Sequence, residues 1–484
     1  MISTESRPQR TFFGHPRALA NLFGVEMWER FSFYGMQGIL TIYLYYSVAE
    51  GGLALPIATA TSIVGAYGGL VYLSTVAGAW IADRIAGSEH VLFGSAILIM
   101  LGHLALAFLP GFLGVGVGLA AVALGSGGLK ANATSLVGRL YAEGDQRRDA
   151  GFSLFYLGIN LGAFVGPLLT GLAQQQLGFH YGFGLAALGM ALGLTQYTFG
   201  RRNLSRDANV VPNPLPRAKR PLAGAAVLLL VATIVVLVLT GVITATNLAT
   251  VTVVVVALAA IGYFTVILTS RRITPVERSR VYSFIPMFLA SFVFFSLFQQ
   301  QFTVVTIYVD QRLDRNLFGW EMPVSWANSV NPIFIIVLAG AFAALWTKLG
   351  DRQPSTPTKF ALGTIAMGGA FLLFLPMAGG GPGSAPLLGL IGILLMFTVA
   401  ELLLSPVGLS LSTKLAPEAF RTQMVALNFL SIALGTATAG ALAEYYDTGA
   451  EVPYFTFVGG GAVAAGLLLL AAGPLIRKLM RGVR

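Results

Sequence analysis

The sequence predicts an all-α polytopic membrane protein with fourteen spans, and three observations predict it. Of 484 residues, 56% are hydrophobic and only 10% charged, against about 25% charged in soluble domains. So little charge does not cover a soluble surface. The apolar residues cluster into runs of about 20, the length that crosses ~30 Å of hydrocarbon. The basic residues fall in alternate connections, as a chain threading a bilayer back and forth requires.

Apolar runs between polar or Gly/Pro breaks place the spans in order. They lie at about 20–46, 57–83, 91–110, 113–139, 150–173, 179–199 and 222–244, then 247–270, 281–309, 325–348, 359–377, 386–415, 420–446 and 454–476. Arg7, Arg10 and Arg17 precede the first, and Arg84 ends the second. Arg139, Arg147 and Arg148 follow the fourth, and Arg201, Arg202, Arg206, Arg217, Lys219 and Arg220 fill the long central connection. Arg271, Arg272, Arg278 and Arg280 precede the ninth, and Lys348, Arg352 and Lys359 follow the tenth. Lys414 and Arg421 flank the next such junction, and Arg477, Lys478, Arg481 and Arg484 close the chain. With fourteen alternating spans all of these share one side. The other side carries only Arg312 and Arg315, beside Asp310, Asp314 and Glu321. The positive-inside rule then makes both termini cytoplasmic.

The spans group as six, two and six. Residues 20–199 form an N-terminal six-helix bundle, 200–221 a cytoplasmic loop, 222–270 a two-helix insertion and 281–476 a C-terminal six-helix bundle. Spans seven and eight carry no charge at all. They read as a lipid-facing hairpin between two pseudo-symmetric halves, whose solute site belongs near the midplane.

Composition also excludes function classes. With no cysteine, disulfides, thiolate chemistry and Cys-based metal sites fall away. The four histidines, His15, His90, His103 and His180, show no ligand spacing, so no metal is expected. The net charge of +10 lies in loops rather than on a soluble face, which excludes nucleic acid as partner. The first twenty residues are polar and basic, without the core of a signal peptide, and read as a short tail.

Charged residues lie deep inside three of the spans. Glu26, Glu29 and Arg30 share a face of the first span through i,i+3 and i,i+4 spacing. A charge at the bilayer centre costs at least ~2.5–3.5 kcal/mol, so it faces a cavity or a partner. Two acids against one base leave one carboxylate free to take up a proton; the alternative is an ion pair that merely knits helices. Lys130 lies in the glycine-rich Gly125–Lys130 stretch of the fourth span, with the first-span glutamates as candidate partners. The alternative is a lysine snorkelling to an interface. Glu401 is the only mid-span charge of the twelfth, and Pro406 is expected to break the helix just after it, exposing backbone that lines a cavity. The alternative is a protonated, hydrogen-bonded core carboxyl. An acid in one half opposite Arg30 and Lys130 in the other makes a polarised cavity, suited to a zwitterion. Asn160, Asn331, the run Gln299-Gln300-Gln301, Tyr34, Tyr72, Tyr156 and Asn428 supply further polar groups, or helix–helix glue. Asp83 and Arg84, ending the second span, are expected to pair with the neighbouring half as a closure latch.

These residues resemble the proton-dependent oligopeptide transporter family of the major facilitator superfamily, in its bacterial form. EMWERFSFYG (26–35) is similar to that family's first-helix ExxERFxYYG pattern. GAWIADR (78–84), GSGGLKAN (125–132), RRDAGFSLFYLGINLGAF (147–164) and ELLLSP (401–406) match in order, so the resemblance covers roughly residues 20–446. It implies a major facilitator fold, a twelve-helix core plus two extra helices, and proton-coupled import of di- and tripeptides by alternating access. It implies proton coupling through Glu26, Glu29, Arg30, Lys130 and Glu401. It implies substrate binding by Arg30, Tyr34, Tyr72, Lys130, Asn160, Gln300, Asn331, Glu401, Ser405 and Asn428, with Asp83, Arg84 and Asp310 as gating residues. No enzyme activity and no cofactor beyond protons are implied, and the expected setting is a bacterial inner membrane, as a functional monomer.

Three departures from the pattern matter. Phe33 replaces the first tyrosine of YYG, removing a hydroxyl. The ninth span reads Gln-Gln-Gln where many members have an acid, so Gln299 carries no proton and Asp310 becomes the candidate to meet Arg30 across the halves. Asn428 stands where many members have tryptophan, which makes that wall more polar. Two rivals remain: a proton-coupled carrier of another small anion, such as nitrate or a conjugated metabolite, and a multi-pass membrane enzyme. The enzyme would need a nucleophile with its base, or a metal cluster, near an interface, and the sequence offers neither.

Overall fold

In hydrocarbon a segment must satisfy its own backbone amides, which a helix does, and the apolar runs are helical throughout. The computed structural model describes residues 11–142, 145–204 and 206–483, without the side chains of Arg206, Asp207 and Asp351. Arg7, Arg10 and Arg484, counted above for orientation, lie outside the described residues.

The first half comprises α1 (Arg17–Tyr45), α2 (Ile57–Ile81), α3 (Ser88–Phe108), α4 (Gly111–Arg139), α5 (Arg147–Leu177) and α6 (Phe179–Gly200). The insertion is α7 (Arg220–Leu239) and α8 (Leu248–Thr269). The second half holds α9 (Pro275–Phe298), the short α10 (Val304–Gln311), α11 (Val330–Leu349), α12 (Thr356–Leu372), α13 (Leu387–Lys414), α14 (Arg421–Ala443) and α15 (Glu451–Leu479). Among the described residues, twelve spans are long and apolar enough to cross a membrane. Charge-bearing α1 and glycine-rich α6 complete fourteen long helices. Both pack inside the first half, α1 against α5 and α6, and α6 also against α3. Glycine permits this closeness: a Cβ on Gly162 would lie 2.1 Å from the Met27 carbonyl oxygen.

Two helices differ from the sequence reading. The ninth span starts at Pro275, six residues before the apolar run, because a capping box closes its first turn. Thr274 Oγ1 accepts from Glu277 N at 3.2 Å, and Glu277 Oε2 from Thr274 N at 2.8 Å. The span then breaks: a 3-10 turn covers Gln299–Phe302, and Thr303, at φ −124° and ψ −92°, redirects the chain into α10. The break expected at Pro406 does not occur. Proline costs the helix one backbone bond, but neighbouring helices hold transmembrane prolines in place, and α13 runs through it to Lys414.

The halves meet closely along α2 and α14, where a Cβ on Gly65 would fall 2.4 Å from the Gly440 Cα. Helix α8 lies across this seam, packing on both α2 and α14, while α7 has no buried residue. One end of the molecule carries the Arg- and Lys-rich connections (the basic end). The far end carries a hairpin of β1 (Asn316–Leu317) and β2 (Trp320–Glu321). Its turn places Phe318 and Gly319 at positive φ, as a tight two-residue hairpin requires.

Candidate functional site

A cavity of about 290 Å³ lies between the two halves at mid-depth. From the first half, Glu26, Arg30, Tyr34 and Gln37 of α1 face it, with Tyr72 of α2, Lys130 of α4, and Tyr156 and Asn160 of α5. The stripe at 26, 30, 34 and 37 is one face of a helix. From the second half come Gln299, Gln301, Asn328, Asn331, Glu401, Ser405 and Asn428.

The walls carry opposite charge. On the first, Arg30 Nε lies 2.9 Å from both Glu26 Oε1 and Glu29 Oε2. Glu29 is fully buried behind the wall, and its Oε1 accepts from Ser126 Oγ at 2.9 Å. The single Nε–H is committed to Glu26, which leaves Glu29 Oε2 with the charge contact alone; Arg30 Nη2 and Glu26 Oε2 are likewise buried without hydrogen-bond partners. The Lys130 ammonium sits over the Tyr72 ring, 4.4 Å from its centroid, a cation–π contact. On the second wall, Asn331 Nδ2 donates to Glu401 Oε2 at 3.2 Å and to Thr398 Oγ1 at 3.0 Å. Unspent cationic donors on one face and a carboxylate on the other can hold the two ends of a zwitterion.

The far end is closed. Asp310 accepts from Tyr45 at 2.6 Å and Tyr46 at 2.5 Å, and Arg315 stands 3.6 Å away. Ser325, Trp326 and Ser329 donate to the carbonyls of Pro167, Leu168 and Phe164 at 2.8, 3.1 and 2.8 Å. Gln175 donates to the Glu321 carbonyl at 2.9 Å, and Thr41 to that of Phe302. At mid-depth, Gln299 Nε2 donates to Tyr72 Oη at 3.4 Å. Apart from that one, these side-chain hydrogen bonds between the halves gather at the far end, above the cavity.

A family model described as the POT family matches residues 89–458. The chain is 40% identical over 496 residues to a di-/tripeptide transporter of Lactococcus lactis subsp. cremoris, with 99% of each chain covered. It is likewise 40% identical over 481 residues to an uncharacterised transporter, YclF, of Bacillus subtilis (strain 168), covering 99% of this chain and 98% of that one. A crystal structure of a peptide transporter POT in complex with sulfate matches with a TM-score of 0.94 and 44% identity, covering 99% of this chain and 98% of the other. The chain belongs to the POT family. It is a multi-pass membrane transporter with the major facilitator fold.

In this POT-family chain, Glu26, Arg30, Tyr34, Tyr72, Lys130, Asn160, Asn331, Glu401, Ser405 and Asn428 all line the one cavity, and Glu29 backs it. Several sequence expectations need correction. Gln300 faces away: it accepts from Tyr454 Oη at 2.8 Å and donates to the Ser296 carbonyl at 3.0 Å. The 3-10 turn brings Gln299 and Gln301 to the wall instead. Lys130 forms no ion pair with the first-helix glutamates, which Arg30 already occupies. Asp310 does not meet Arg30, because it lies in α10 beyond the break, within the far-end closure. Asp83 and Arg84 do not reach the other half here. A π-helical turn over Ala82–Ala86 presents them to the central connection, where Arg84 Nη1 donates to the Asn213 carbonyl at 3.2 Å and Asn213 N to that of Asp83 at 3.0 Å. Sequence reasoning missed Gln37 and Asn328. Both were open to the helical period, seven residues after Arg30 and three before Asn331.

Proposed function

We propose that this protein is a proton-coupled symporter that imports di- and tripeptides by alternating access, with the polarised cavity as its solute site. The observation that carries the reading is Arg30 and Lys130 facing Glu401 and Asn331 across one 290 Å³ space. The peptide carboxylate binds Lys130 and, once a first-helix glutamate is protonated, Arg30; the ammonium binds Glu401, with Asn331 and Asn160 beside it. Tyr34, Tyr72, Ser405 and Asn428 complete the walls. A di-/tripeptide transporter among the relatives, at 40% identity over nearly its whole length, supports the same substrate class.

Coupling follows from the shared cation. Protonation of Glu26 or Glu29 releases Arg30 towards the peptide carboxylate, and peptide release with deprotonation restores the internal pairs. The basic connections support a cytoplasmic setting for that end and for both termini; the far end is then the outer mouth, and the conformation is the one open inward. Asp310 is the outer gate, and Asp83 with Arg84 belong to the inner one. Residues 20–199 and 281–476 move as two bundles, with 200–221 and 222–270 as connection and insertion. One chain completes the cavity, which supports a functional monomer in a bacterial inner membrane. The test is uptake of labelled dialanine into proteoliposomes with and without an imposed inward proton gradient. Uptake that the gradient stimulates is expected; uptake indifferent to the gradient overturns the symport reading.

A further inference from the structure

Two buried carboxamides in the cavity have no part in the scheme above. Gln37 is 3% exposed and Asn328 7% exposed, and both line the cavity, one from each half. Gln37 Oε1 and Asn328 Nδ2 are buried without hydrogen-bond partners. Asn328 comes up against the same stretch of α1: a Cβ placed on Gly38, the residue after Gln37, would lie 3.6 Å from Asn328 Nδ2. Seven residues beyond Arg30 on the same helix face, Gln37 stands about 10 Å farther toward the closed mouth. Asn328 precedes Asn331 by about a turn. The pair therefore roofs the space between the two ends of a bound zwitterion.

A buried polar atom without a partner is costly, so this roof favours a ligand group that satisfies both amides together. A carboxamide does so, since its oxygen accepts from Asn328 Nδ2 while its NH2 donates to Gln37 Oε1. Each protein amide can also turn over and still find its complement. The geometry points to Gln37 and Asn328 as a side-chain subsite that selects peptides bearing an asparagine or glutamine carboxamide. This rests on the peptide reading above. A ligand held there touches both halves beneath the outer closure, so it also favours the closed outer mouth.

Asparagine and leucine side chains have nearly the same shape, and a site built to hydrogen-bond rejects the analogue that cannot. Unlabelled alanyl-asparagine, asparaginyl-alanine and their two leucine counterparts are competed against labelled dialanine uptake. In wild type the better-placed asparagine peptide is expected to compete roughly tenfold or more better than its leucine counterpart. In Gln37→Met and in Asn328→Leu that ratio, taken within each variant, falls toward one. A wild-type ratio of one or below overturns the subsite without recourse to any variant. Variants that keep the wild-type ratio overturn it too, leaving the amides to hold ordered water. Wild type that takes up no dialanine overturns the peptide reading and this inference together, whereas dialanine uptake without asparagine preference overturns the subsite alone.

Discussion

Arg30 and Lys130 share a wall but not a circumstance. Arg30 is tied to two carboxylates at 2.9 Å; Lys130 rests on Tyr72 with its ammonium turned to the cavity. In the proposed scheme Lys130 is therefore the cation that a substrate carboxylate meets without first breaking an ion pair. A charge-assisted hydrogen bond is worth about 1.5–3 kcal/mol. Lys130→Ala is accordingly expected to weaken dialanine affinity about tenfold to a hundredfold and to lose pH-driven accumulation in proteoliposomes. Full accumulation by that variant would remove Lys130 from the coupling step. These two cations, with Glu26 and Glu401, were legible in the sequence because charge at depth in an apolar run has few harmless explanations. Neutral amides announce themselves far less. The whole run Gln299-Gln300-Gln301 offers polar groups and the resemblance singles out Gln300, yet Gln299 and Gln301 reach the wall, since three identical side chains carry no mark of which way a local turn faces each. Arg312 and Glu451, paired at 3.0 Å inside the second half, were equally hidden, because in sequence they look like loop charges.

At the scale of the element, the break after Phe298 decides where Asp310, the proposed outer gate, lies. An unbroken ninth span would have carried Asp310 along the helix axis of α9. The 3-10 turn and Thr303 instead swing α10 against α1, where Asp310 meets Tyr45 and Tyr46. Span positions were readable from hydropathy, and so was the alternation of basic connections. The break was not, because Gln-Gln-Gln-Phe-Thr holds no proline or glycine to signal it, just as Pro406 signalled one that the packed α13 does not make. Asp310→Asn leaves the shape of the clasp but removes the charge that both phenols and Arg315 address. It is expected to shift the population toward the outward-open form. The chain's lack of cysteine makes the measurement direct: a single cysteine placed at Tyr34 or Asn160 should react several-fold faster with an impermeant maleimide added from outside. Unchanged labelling in the Asn variant would rule out Asp310 as a gate.

For the molecule as a whole, the two halves hold one cavity and close one end of it at a time, so what drives net transport is whatever biases the cycle. The far end is held by several hydrogen bonds, each worth about 0.5–1.5 kcal/mol net, a closure that a few favourable events in one cycle can undo and remake. The bias must then come from the proton. A dipeptide zwitterion carries no net charge, so a carrier that moves it with a proton moves positive charge inward. One charge crossing 100 mV releases about 2.3 kcal/mol, and every 1.4 kcal/mol is a factor of ten. An inside-negative potential of that size, with no pH difference, is therefore expected to concentrate dialanine up to roughly fiftyfold at one proton per peptide, and to the square of that at two. Steady-state accumulation in proteoliposomes holding a potassium diffusion potential measures it, and the ceiling reports the stoichiometry. A protonophore lets protons reach electrochemical equilibrium across the membrane, so it should abolish accumulation even with the potential clamped, as should collapsing the potential. Accumulation that ignores the potential altogether would mean that no net charge accompanies the peptide, and the carboxylates of α1 would then be structural partners of Arg30 and nothing more.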